Sequence, residues 1–371
     1  MLISRRRLLR RLGEGAVVGL SVAATTPSAR AAASGGPIRL NLNENAYGPS
    51  ERVKATIRDS LSLVSRYPEA TDSLIEAIAA LHAVRPEQVV LGCGSTEILR
   101  AAAVTFLGRG RTLVLASPTF DPIAGDARRA GGAVATVPLD KQYAHDLDAM
   151  LARLDAAGGL VYVCNPNNPT GSLTPRDDLD AFIRKVPSTT RVLIDEAYYD
   201  YAAASSAYTS FVDRPVDDGR VIVTRTLSAV HGLAGLRVGY AIAAPETARR
   251  LAGQRLPLGV NVLASRAGVT ALGDVEHVKL SVRRNTNDRQ EFYNQANARM
   301  LRVIDSHANF VMLNTGRPAE EVVDHLKNHD ILVAPPIPAM GKYIRVSLGQ
   351  PHDMLEFWRV WDLMPHHGPH M

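Results

Sequence analysis

Small and polar residues that could bind an anion follow the first apolar, strand-like run of the chain, residues 89–91. Residues 92–97 read Gly-Cys-Gly-Ser-Thr-Glu and open a helical pattern. Glycines let the backbone approach an anion closely, and the first turn of a helix presents free N–H groups to it. The segment is therefore a candidate phosphate cradle, although the same residues are equally typical of a simple turn. It matches neither the Walker A pattern nor the G-x-G-x-x-G fingerprint.

Two further segments place polar side chains directly after strand-like runs. Residues 165–171 read Asn-Pro-Asn-Asn-Pro-Thr-Gly, and the two prolines and the closing glycine predict an irregular loop. Asp195 and Tyr198 follow the run at residues 191–194. Taken alone, Asp195 could cap a helix and Tyr198 could be a half-buried packing residue. Polar residues gathered after successive strands instead mark the edge at which open α/β sheets bind ligands.

The elements that must position these residues alternate between strand and helix. Short apolar runs alternate with helical patterns at residues 73–82 and 95–106. This alternation predicts a mostly parallel sheet with helices on both faces, which is the α/β class. The apolar runs are residues 89–91, 112–115, 160–164, 191–194 and 221–223.

The pattern changes from about residue 255. A long polar helical pattern at residues 275–301 precedes short apolar runs and another helical pattern, which together predict a smaller α+β domain. We therefore expect a large domain at residues 61–254 and a small domain built from residues 34–60 and 255–371. The runs of the small domain are residues 309–313, 331–333 and 343–346, with the helical pattern at residues 319–329.

The composition excludes several classes of protein. With 46% hydrophobic and 21% charged residues, the 371-residue chain is ordinary for a globular protein. Its body has no apolar run long enough to span a membrane. Cys93 and Cys164, the two cysteines, can form neither a disulfide framework nor a cysteine-based zinc site, and no metal is expected. The histidine-rich ending, residues 366–370, could bind metal but is more typical of a frayed polar tail.

The first 33 residues have the features of an export signal. Their basic start includes the pair Arg5 and Arg6, a weakly apolar stretch follows, and residues 29–31 read Ala-Arg-Ala. This order is typical of a removable signal peptide of the twin-arginine type. It predicts an exported protein, periplasmic or secreted, with no stable membrane anchor after the leader is removed. An arginine-rich extension without an export role is the alternative.

The same leader explains the basic charge of the chain. The formal net charge is +5, and residues 1–31 alone hold six arginines and one glutamate. The remainder carries equal numbers of basic and acidic side chains. A basic surface for nucleic acid is therefore not expected in the body.

Several motifs that occur in one order resemble a known family. Besides the segments above, these are residues 40–49, 66–68, 118–120 and 224–240. Over residues 38–362 the chain resembles the fold-type I aminotransferases that use pyridoxal phosphate (PLP), nearest the histidinol-phosphate aminotransferase group. The resemblance implies the PLP-transferase fold, with a large domain around a mostly parallel sheet and a smaller α+β domain. It also implies a homodimer that transfers an amino group from an amino acid to a 2-oxo acid.

The resemblance assigns roles to individual residues. Asp195 would pair with the ring nitrogen of PLP and keep it protonated, which makes the ring an electron sink. Asn168 and Tyr198 would hydrogen-bond the phenolic oxygen of the ring. Arg345 would grip the substrate α-carboxylate, and Tyr67 would reach the cofactor phosphate of the neighbouring subunit. The remaining assignments are Gly94, Ser95, Thr96, Thr226 and Arg237 at the phosphate, Phe120 stacked on the ring, and Tyr47 with Asn168 at the substrate.

One position breaks the pattern of the family at a catalytic residue. The family has its Schiff-base lysine directly after the residue that is Ser228 here, and this chain has Ala229. A methyl group can neither hold the cofactor covalently nor move a proton, so this form is expected to be inactive or trapped. Either a deliberate lysine-to-alanine change or a natural lysine-free protein accounts for Ala229. His231 is the nearest titratable side chain and a candidate substitute base.

Other departures concern the substrate. In the histidinol-phosphate group an arginine that precedes a proline binds the substrate phosphate, and here Ala334 occupies that position. Ala46 replaces a usual proline near the substrate mouth. We therefore expect an amino donor other than histidinol phosphate. Two alternatives stay open: a lysine-free protein that holds a PLP or PMP adduct, and another PLP chemistry (decarboxylation, elimination or racemisation), which Asp195 and Arg345 would serve equally well.

Overall fold

The computed structural model describes residues 36–68, 72–212 and 218–365. The predicted leader, residues 1–33, and the histidine-rich ending, residues 366–370, lie outside the described residues. The export signal and the metal-binding alternative for the ending therefore stay predictions.

Strands and helices alternate along the described chain. The strands are β1 (Ile38–Leu40), β2 (Val89–Gly92), β3 (Thr112–Ser117), β4 (Ala133–Pro138), β5 (Gly159–Cys164), β6 (Thr190–Asp195), β7 (Val221–Thr226), β8 (Gly239–Ala243), β9 (Arg302–Ile304), β10 (Phe310–Asn314), β11 (Ile331–Val333) and β12 (Tyr343–Ser347). The helices are α1 (Glu51–Asp59), α2 (Asp72–Leu81), α3 (Ser95–Phe106), α4 (Pro122–Arg129), α5 (Leu147–Leu151), α6 (Arg176–Lys185), α7 (Tyr199–Ala202), α8 (Pro245–Ala252), α9 (Val262–Leu272), α10 (Val275–Ala298), α11 (Ala319–Lys327) and α12 (Pro351–Trp361).

A seven-stranded sheet carries the predicted strand ends. Its order is β2-β8-β7-β6-β5-β3-β4, and every neighbouring pair is parallel except the two pairs that β8 makes. All six residues of β5 are buried, because apolar cores cover both faces of the sheet. Strands buried on both faces read as continuous apolar runs, which is the pattern seen in the sequence. The predicted α/β class is confirmed.

The C-terminal part of the chain forms a second layered unit of structure. Strands β12, β10 and β9 make an antiparallel sheet, and side chains of α10, α11 and α12 pack against it to form an apolar core. In this core the ring of Phe292, from α10, packs with the rings of Phe357 and Trp358, from α12. Helix α10 ends at Ala298, earlier than the predicted residue 301, because Met300 has a left-handed φ of 58°. Among the described residues, no helix combines the length and the apolar character that a membrane span requires.

The start of the described chain belongs to this C-terminal structure. Strand β1 pairs in parallel with β11, with Leu40 opposite Val333. The loop that follows β1, residues 41–49, therefore begins beside the end of β11. Hydrogen bonds of Asn41 and Asn43 then connect β12 to this loop. Its asparagines are placed next to residues more than 100 positions away in sequence.

Candidate active site

Asp195 occupies the carboxyl end of β6, at the centre of the large sheet. Its side chain is 1% exposed. Tyr162 Oη of β5 donates to Asp195 Oδ2 at 2.9 Å, and Thr224 Oγ1 of β7 donates to Asp195 Oδ1 at 3.2 Å. Burial raises the pKa of Asp195 to about 6, and the two hydroxyl donors oppose this rise because they stabilise the carboxylate. Hydroxyl groups from the two neighbouring strands, β5 and β7, thus hold the buried carboxylate of Asp195 at the carboxyl edge of the sheet.

The Tyr162→Phe variant should lower the free energy of unfolding by about 1–3 kcal/mol, because Asp195 loses a hydrogen bond to a buried carboxylate. The matched control is Tyr208→Phe. The Tyr208 hydroxyl is also buried but has no hydrogen-bond partner in the described part of the chain, so its removal should not destabilise the protein. Urea unfolding of the two variants at pH 7 measures the difference. Equal losses in both variants would contradict a stabilising role for the Tyr162 hydroxyl.

Tyr198 lies beside Asp195 and is held by two amides. Asn168 Nδ2 donates to Tyr198 Oη at 3.2 Å, and Asn43 Nδ2 donates to the same oxygen at 3.0 Å. The Tyr198 ring packs edge-on against Phe310, with the ring centroids 5.0 Å apart. Burial raises the pKa of Tyr198 to about 12, so its hydroxyl keeps its proton at neutral pH.

Arg345 reaches the same place from β12. Its Nη1 donates to Asn168 Oδ1 at 2.6 Å, and its Nη2 donates to the backbone carbonyl of Asn41 at 2.8 Å. Its buried Nε has no partner. Burial lowers the pKa of Arg345 from its ordinary value. No carboxylate among the described residues is bonded to the guanidinium, so it can bind one from a ligand.

The turn before α3 contains the residues that were predicted to cradle an anion. Gly94 has a φ of 74° and immediately precedes Ser95, the first residue of α3. The guanidinium of Arg237 lies where a Cβ at position 94 would be, and the left-handed φ also disfavours a side chain there. A Cβ at Gly239 would likewise collide with the backbone nitrogen of Ser95. Arg237 also approaches Ser228 Oγ at 3.5 Å, which places a guanidinium beside the free N–H groups of the helix start.

Ala229 is buried in a small apolar cluster and is 4% exposed. The cluster also contains Tyr198 and Phe310, so the position expected for the lysine does lie at the site. His231 is buried too, but the charged groups that act on it are Asp200, His277 and Asp274.

His231 therefore has an environment different from that of Tyr198 and Arg345. Burial lowers its pKa, and its Nδ1 has no hydrogen-bond partner. None of its charged neighbours is one of the residues assigned to cofactor or substrate. The structure gives no support for His231 as the substitute base.

The structure shows no side-chain hydrogen bond, within the described residues, that joins the other predicted residues to Asn168, Tyr198 or Arg345. Phe120 is half-buried shortly after β3, Thr226 ends β7, and Thr96 is exposed in the first turn of α3. Tyr67 is 81% exposed and lines a surface cavity of about 570 Å³. Tyr47 Oη donates to Asp288 Oδ2 at 3.0 Å, so its hydroxyl is engaged with α10.

Asn43 and the pair Glu196 and Arg225 were not predicted from the sequence as residues of interest. Asn43 lies in the segment 40–49, where the alternating asparagines at positions 41, 43 and 45 could have indicated that one face of the segment is polar. Glu196 and Arg225 form a buried ion pair, with Arg225 Nη2 at 2.9 Å from Glu196 Oε2. Arg225 follows Thr224 in β7, so its side chain points to the face opposite the contact between Thr224 and Asp195. The ion pair therefore ties β7 to the residue that follows β6.

These elements and this geometry define an aminotransferase of class I and II, and the chain belongs to that family. The family description "Aminotransferase class I and II" matches residues 36–358. A histidinol-phosphate aminotransferase from Caldicellulosiruptor saccharolyticus is 36% identical over 323 residues, which are 86% of this chain and 89% of the relative. Another from Moorella thermoacetica is 36% identical over 314 residues, covering 84% and 81%.

A solved relative carries the cofactor. The crystal structure of histidinol-phosphate aminotransferase from Sinorhizobium meliloti in complex with pyridoxal-5'-phosphate has a TM-score of 0.81 and 27% identity, covering 91% of this chain and 95% of that one. The protein is a PLP-dependent aminotransferase by family, and PLP is its cofactor, as the sequence predicted.

The chemistry of three parts of the site suits PLP, and covalent attachment does not fit. A buried carboxylate suits a protonated ring nitrogen, the glycine turn with Arg237 suits a phosphate, and Tyr198 can donate to a phenolic oxygen. Ala229 offers no amine. This chain can therefore hold PLP by non-covalent contacts alone.

Proposed function

We propose that this protein binds the PLP adduct of an amino acid whose side chain is not phosphorylated, and that its transfer of the amino group to a 2-oxo acid is severely slowed. The observation that carries the proposal is the connected set of Tyr198, Asn168 and Arg345 beside Asp195, with Ala229 buried against Tyr198. These contacts support the binding of a cofactor and a carboxylate, and Ala229 offers no group that could move a proton.

Bound PLP supplies an electron-accepting ring that stabilises negative charge at the substrate Cα. Asp195 holds the ring nitrogen in its protonated form, and Tyr198 donates a hydrogen bond to the phenolic oxygen. Arg345 fixes the α-carboxylate and so orients the Cα–H bond. At position 229 the methyl group has no lone pair, so no side chain there removes or returns the proton.

Ala334 supports the exclusion of a phosphorylated donor. Its side chain is buried, and its N–H donates to the Arg345 carbonyl at 3.2 Å, so position 334 adjoins the carboxylate-binding strand. A substrate phosphate there would meet a methyl group where the related enzymes have a guanidinium. The loss of that counter-charge favours an ordinary or modified amino acid as the donor.

Introducing the charge should change the choice of donor. In the Ala229→Lys background, Ala334→Arg should raise kcat/KM for histidinol phosphate relative to an unphosphorylated amino acid by about 10–100-fold, the value of a hydrogen bond to a charged group. Ala334→Gln, neutral and also long, is the matched control. An unchanged ratio in a folded Ala334→Arg variant would argue against a phosphate position at residue 334.

A second candidate function follows from the packing of Ala229. Because the alanine is 4% exposed within a cluster of apolar and aromatic residues, the chain is complete as a holder of a PLP or PMP adduct without any lysine. This candidate predicts tight binding of the adduct and no turnover, even after a lysine is introduced.

One paired experiment separates the two functions. The protein without its leader, and its Ala229→Lys variant, are given PLP and a panel of amino acids, and 2-oxo acid release and cofactor absorbance are followed. Turnover by the lysine variant alone supports the slowed aminotransferase. Tight adduct binding by both proteins without turnover supports the binding protein, and release of an amine or of ammonia alone indicates another PLP chemistry.

We also propose a homodimer and export. The exposed Tyr67 and the cavity beside it would be covered by a second copy, which would bring the ring to the partner's phosphate cradle. Light scattering of the protein and of Tyr67→Ala tests the proposal of a homodimer.

The proposal of export rests on the twin-arginine pattern. It is tested by replacing Arg5 and Arg6 with lysine and following the location of the protein in cells.

A further inference from the structure

Asn43 uses all four of its polar groups in hydrogen bonds to three residues that are distant in sequence. Its N–H donates to Ser347 Oγ at 2.9 Å, and its Oδ1 accepts from the same hydroxyl at 2.9 Å. Its carbonyl accepts from Asn309 Nδ2 at 2.9 Å. Its Nδ2 donates to Tyr198 Oη at 3.0 Å. The residue is 7% exposed, so these bonds are shielded from water.

The backbone of Asn43 is equally constrained. Its φ is 55°, in the left-handed region that asparagine and glycine tolerate best. Asparagine is therefore suited to this position in two separable ways: it accepts the backbone conformation, and it supplies an amide. Glycine would keep the first property and remove the second.

These contacts close a ring that joins cofactor and substrate residues. Ser347 and Arg345 are two positions apart on β12 and so lie on one face of the strand. Arg345 bonds Asn168, Asn168 bonds Tyr198, and Tyr198 bonds Asn43, which returns to Ser347. A change at Asn43 is therefore transmitted both to Tyr198 and to the strand that carries Arg345.

The ring decides what the Tyr198 hydroxyl can do. The amides of Asn43 and Asn168 both donate to its oxygen and occupy its two lone pairs. The hydroxyl retains its proton, because burial raises the pKa of Tyr198 to about 12. The hydroxyl can therefore make only one further hydrogen bond, as a donor. The two amides that bind its oxygen limit the direction in which its proton points.

We propose that Asn43 is a positioning residue, which fixes the Tyr198 hydroxyl as a one-way hydrogen-bond donor to the phenolic oxygen of bound PLP and couples it to the carboxylate site at Arg345. The proposal rests on the binding of PLP by this chain. It adds an asparagine from the N-terminal loop to the residues that set the protonation of the cofactor.

The test compares Asn43→Gly and Asn43→Asp with the unaltered protein, using PLP as the probe. Asn43→Gly keeps the left-handed backbone and loses the amide, and Asn43→Asp keeps the shape and replaces the donor with a carboxylate. We expect PLP to bind about 5-fold more weakly to Asn43→Gly, the value of one net hydrogen bond, and weaker still to Asn43→Asp. The pH midpoint of the absorbance change of bound PLP should move upward in both, since the phenolate loses a well-directed donor.

Two controls separate positioning from general stability. Ala83 is another non-glycine residue with a left-handed φ, 51°, so Ala83→Gly tests the backbone change alone and should leave PLP affinity unchanged. Ser347→Ala keeps the Asn43–Tyr198 contact but opens the ring, and should weaken binding of an amino acid to the PLP-loaded protein more than it weakens binding of PLP. Thermal unfolding of each variant shows which remain folded.

The outcomes are distinct. If Asn43→Gly remains folded and its PLP affinity and pH midpoint equal those of the unaltered protein, the positioning role is overturned. A fall in melting temperature with an unchanged pH midpoint would assign Asn43 a structural role only, which also overturns it. If the unaltered protein itself does not bind PLP, the proposed function fails first, and this result is visible before any variant is made.

Discussion

Replacing Ala229 with lysine should raise the rate of amino transfer by about two to four orders of magnitude, the usual contribution of a positioned general acid–base group. Three of the predicted binding residues form one connected set at position 229, since Ala229 packs with Tyr198, and Asn168 bonds both Tyr198 and Arg345. The lysine adds the one missing element, an amine that can hold the cofactor and move a proton. Release of 2-oxo acid at saturating PLP and donor measures the gain.

The matched control for this gain is Ala229→Met, which has a similar length but no amine. A gain in the lysine variant only, together with a mass increase after borohydride reduction of the PLP-loaded variant, would identify the amine as the cause. Equal rates in the unaltered protein and the lysine variant would contradict the assignment of position 229. A comparable gain with methionine would show that filling space, rather than proton transfer, limits the reaction.

Asp195→Asn should weaken PLP binding by about 10–100-fold, because a carboxylate that pairs with a charged ring nitrogen is replaced by a neutral amide. The same substitution should change how stability depends on pH. Burial raises the pKa of Asp195 from 3.8 to about 6 in the folded, cofactor-free protein, so ionisation of this group opposes folding. A pKa shift of that size corresponds to a loss of on the order of 3 kcal/mol in the free energy of unfolding when Asp195 is ionised.

The direction of the pH dependence follows from how tightly the folded and unfolded states bind the Asp195 proton. Between about pH 4 and pH 6 the folded protein holds the Asp195 proton more tightly than the unfolded chain does, so rising pH lowers the free energy of unfolding through this group. The unaltered protein should therefore lose stability relative to Asp195→Asn over that window, and the difference should level off above pH 6. Urea unfolding of both proteins from pH 4 to pH 8 measures it. Parallel pH profiles would show that Asp195 has an ordinary pKa in the folded protein.

Local signals in the sequence were sufficient for the fold class, and they also predicted which residues lie at the polar edge of the sheet. The runs that became β5 and β6 are continuous and apolar because both of their faces are buried, and the polar residues after them lie at one edge because parallel strands end together. Asp195 and the loop at residues 165–171 could therefore be assigned to a ligand-binding edge before any contact was known. The resemblance to a family then supplied their individual roles.

Long-range contacts could not be read in the same way. Tyr162 was part of an apolar run, and nothing in its spacing shows that its hydroxyl donates to Asp195, 33 residues away. The pair Glu196 and Arg225 is likewise hidden, since each follows a residue of the site. Such pairs depend on which strands become neighbours.

The sequence by itself determined the α/β class, because that class is expressed in periodicity. It also predicted the sheet edge for the cofactor and Ala229 at the position of the family's lysine, because both predictions rest on short motifs. Only the tertiary structure decided that Asn43 bonds Tyr198 and that Arg345 bonds Asn168, contacts that span 155 and 177 residues. It also placed β8 antiparallel between β2 and β7. The reason is physical: side-chain direction and strand order are fixed when distant segments pack together, and neither is encoded in the spacing of neighbouring residues.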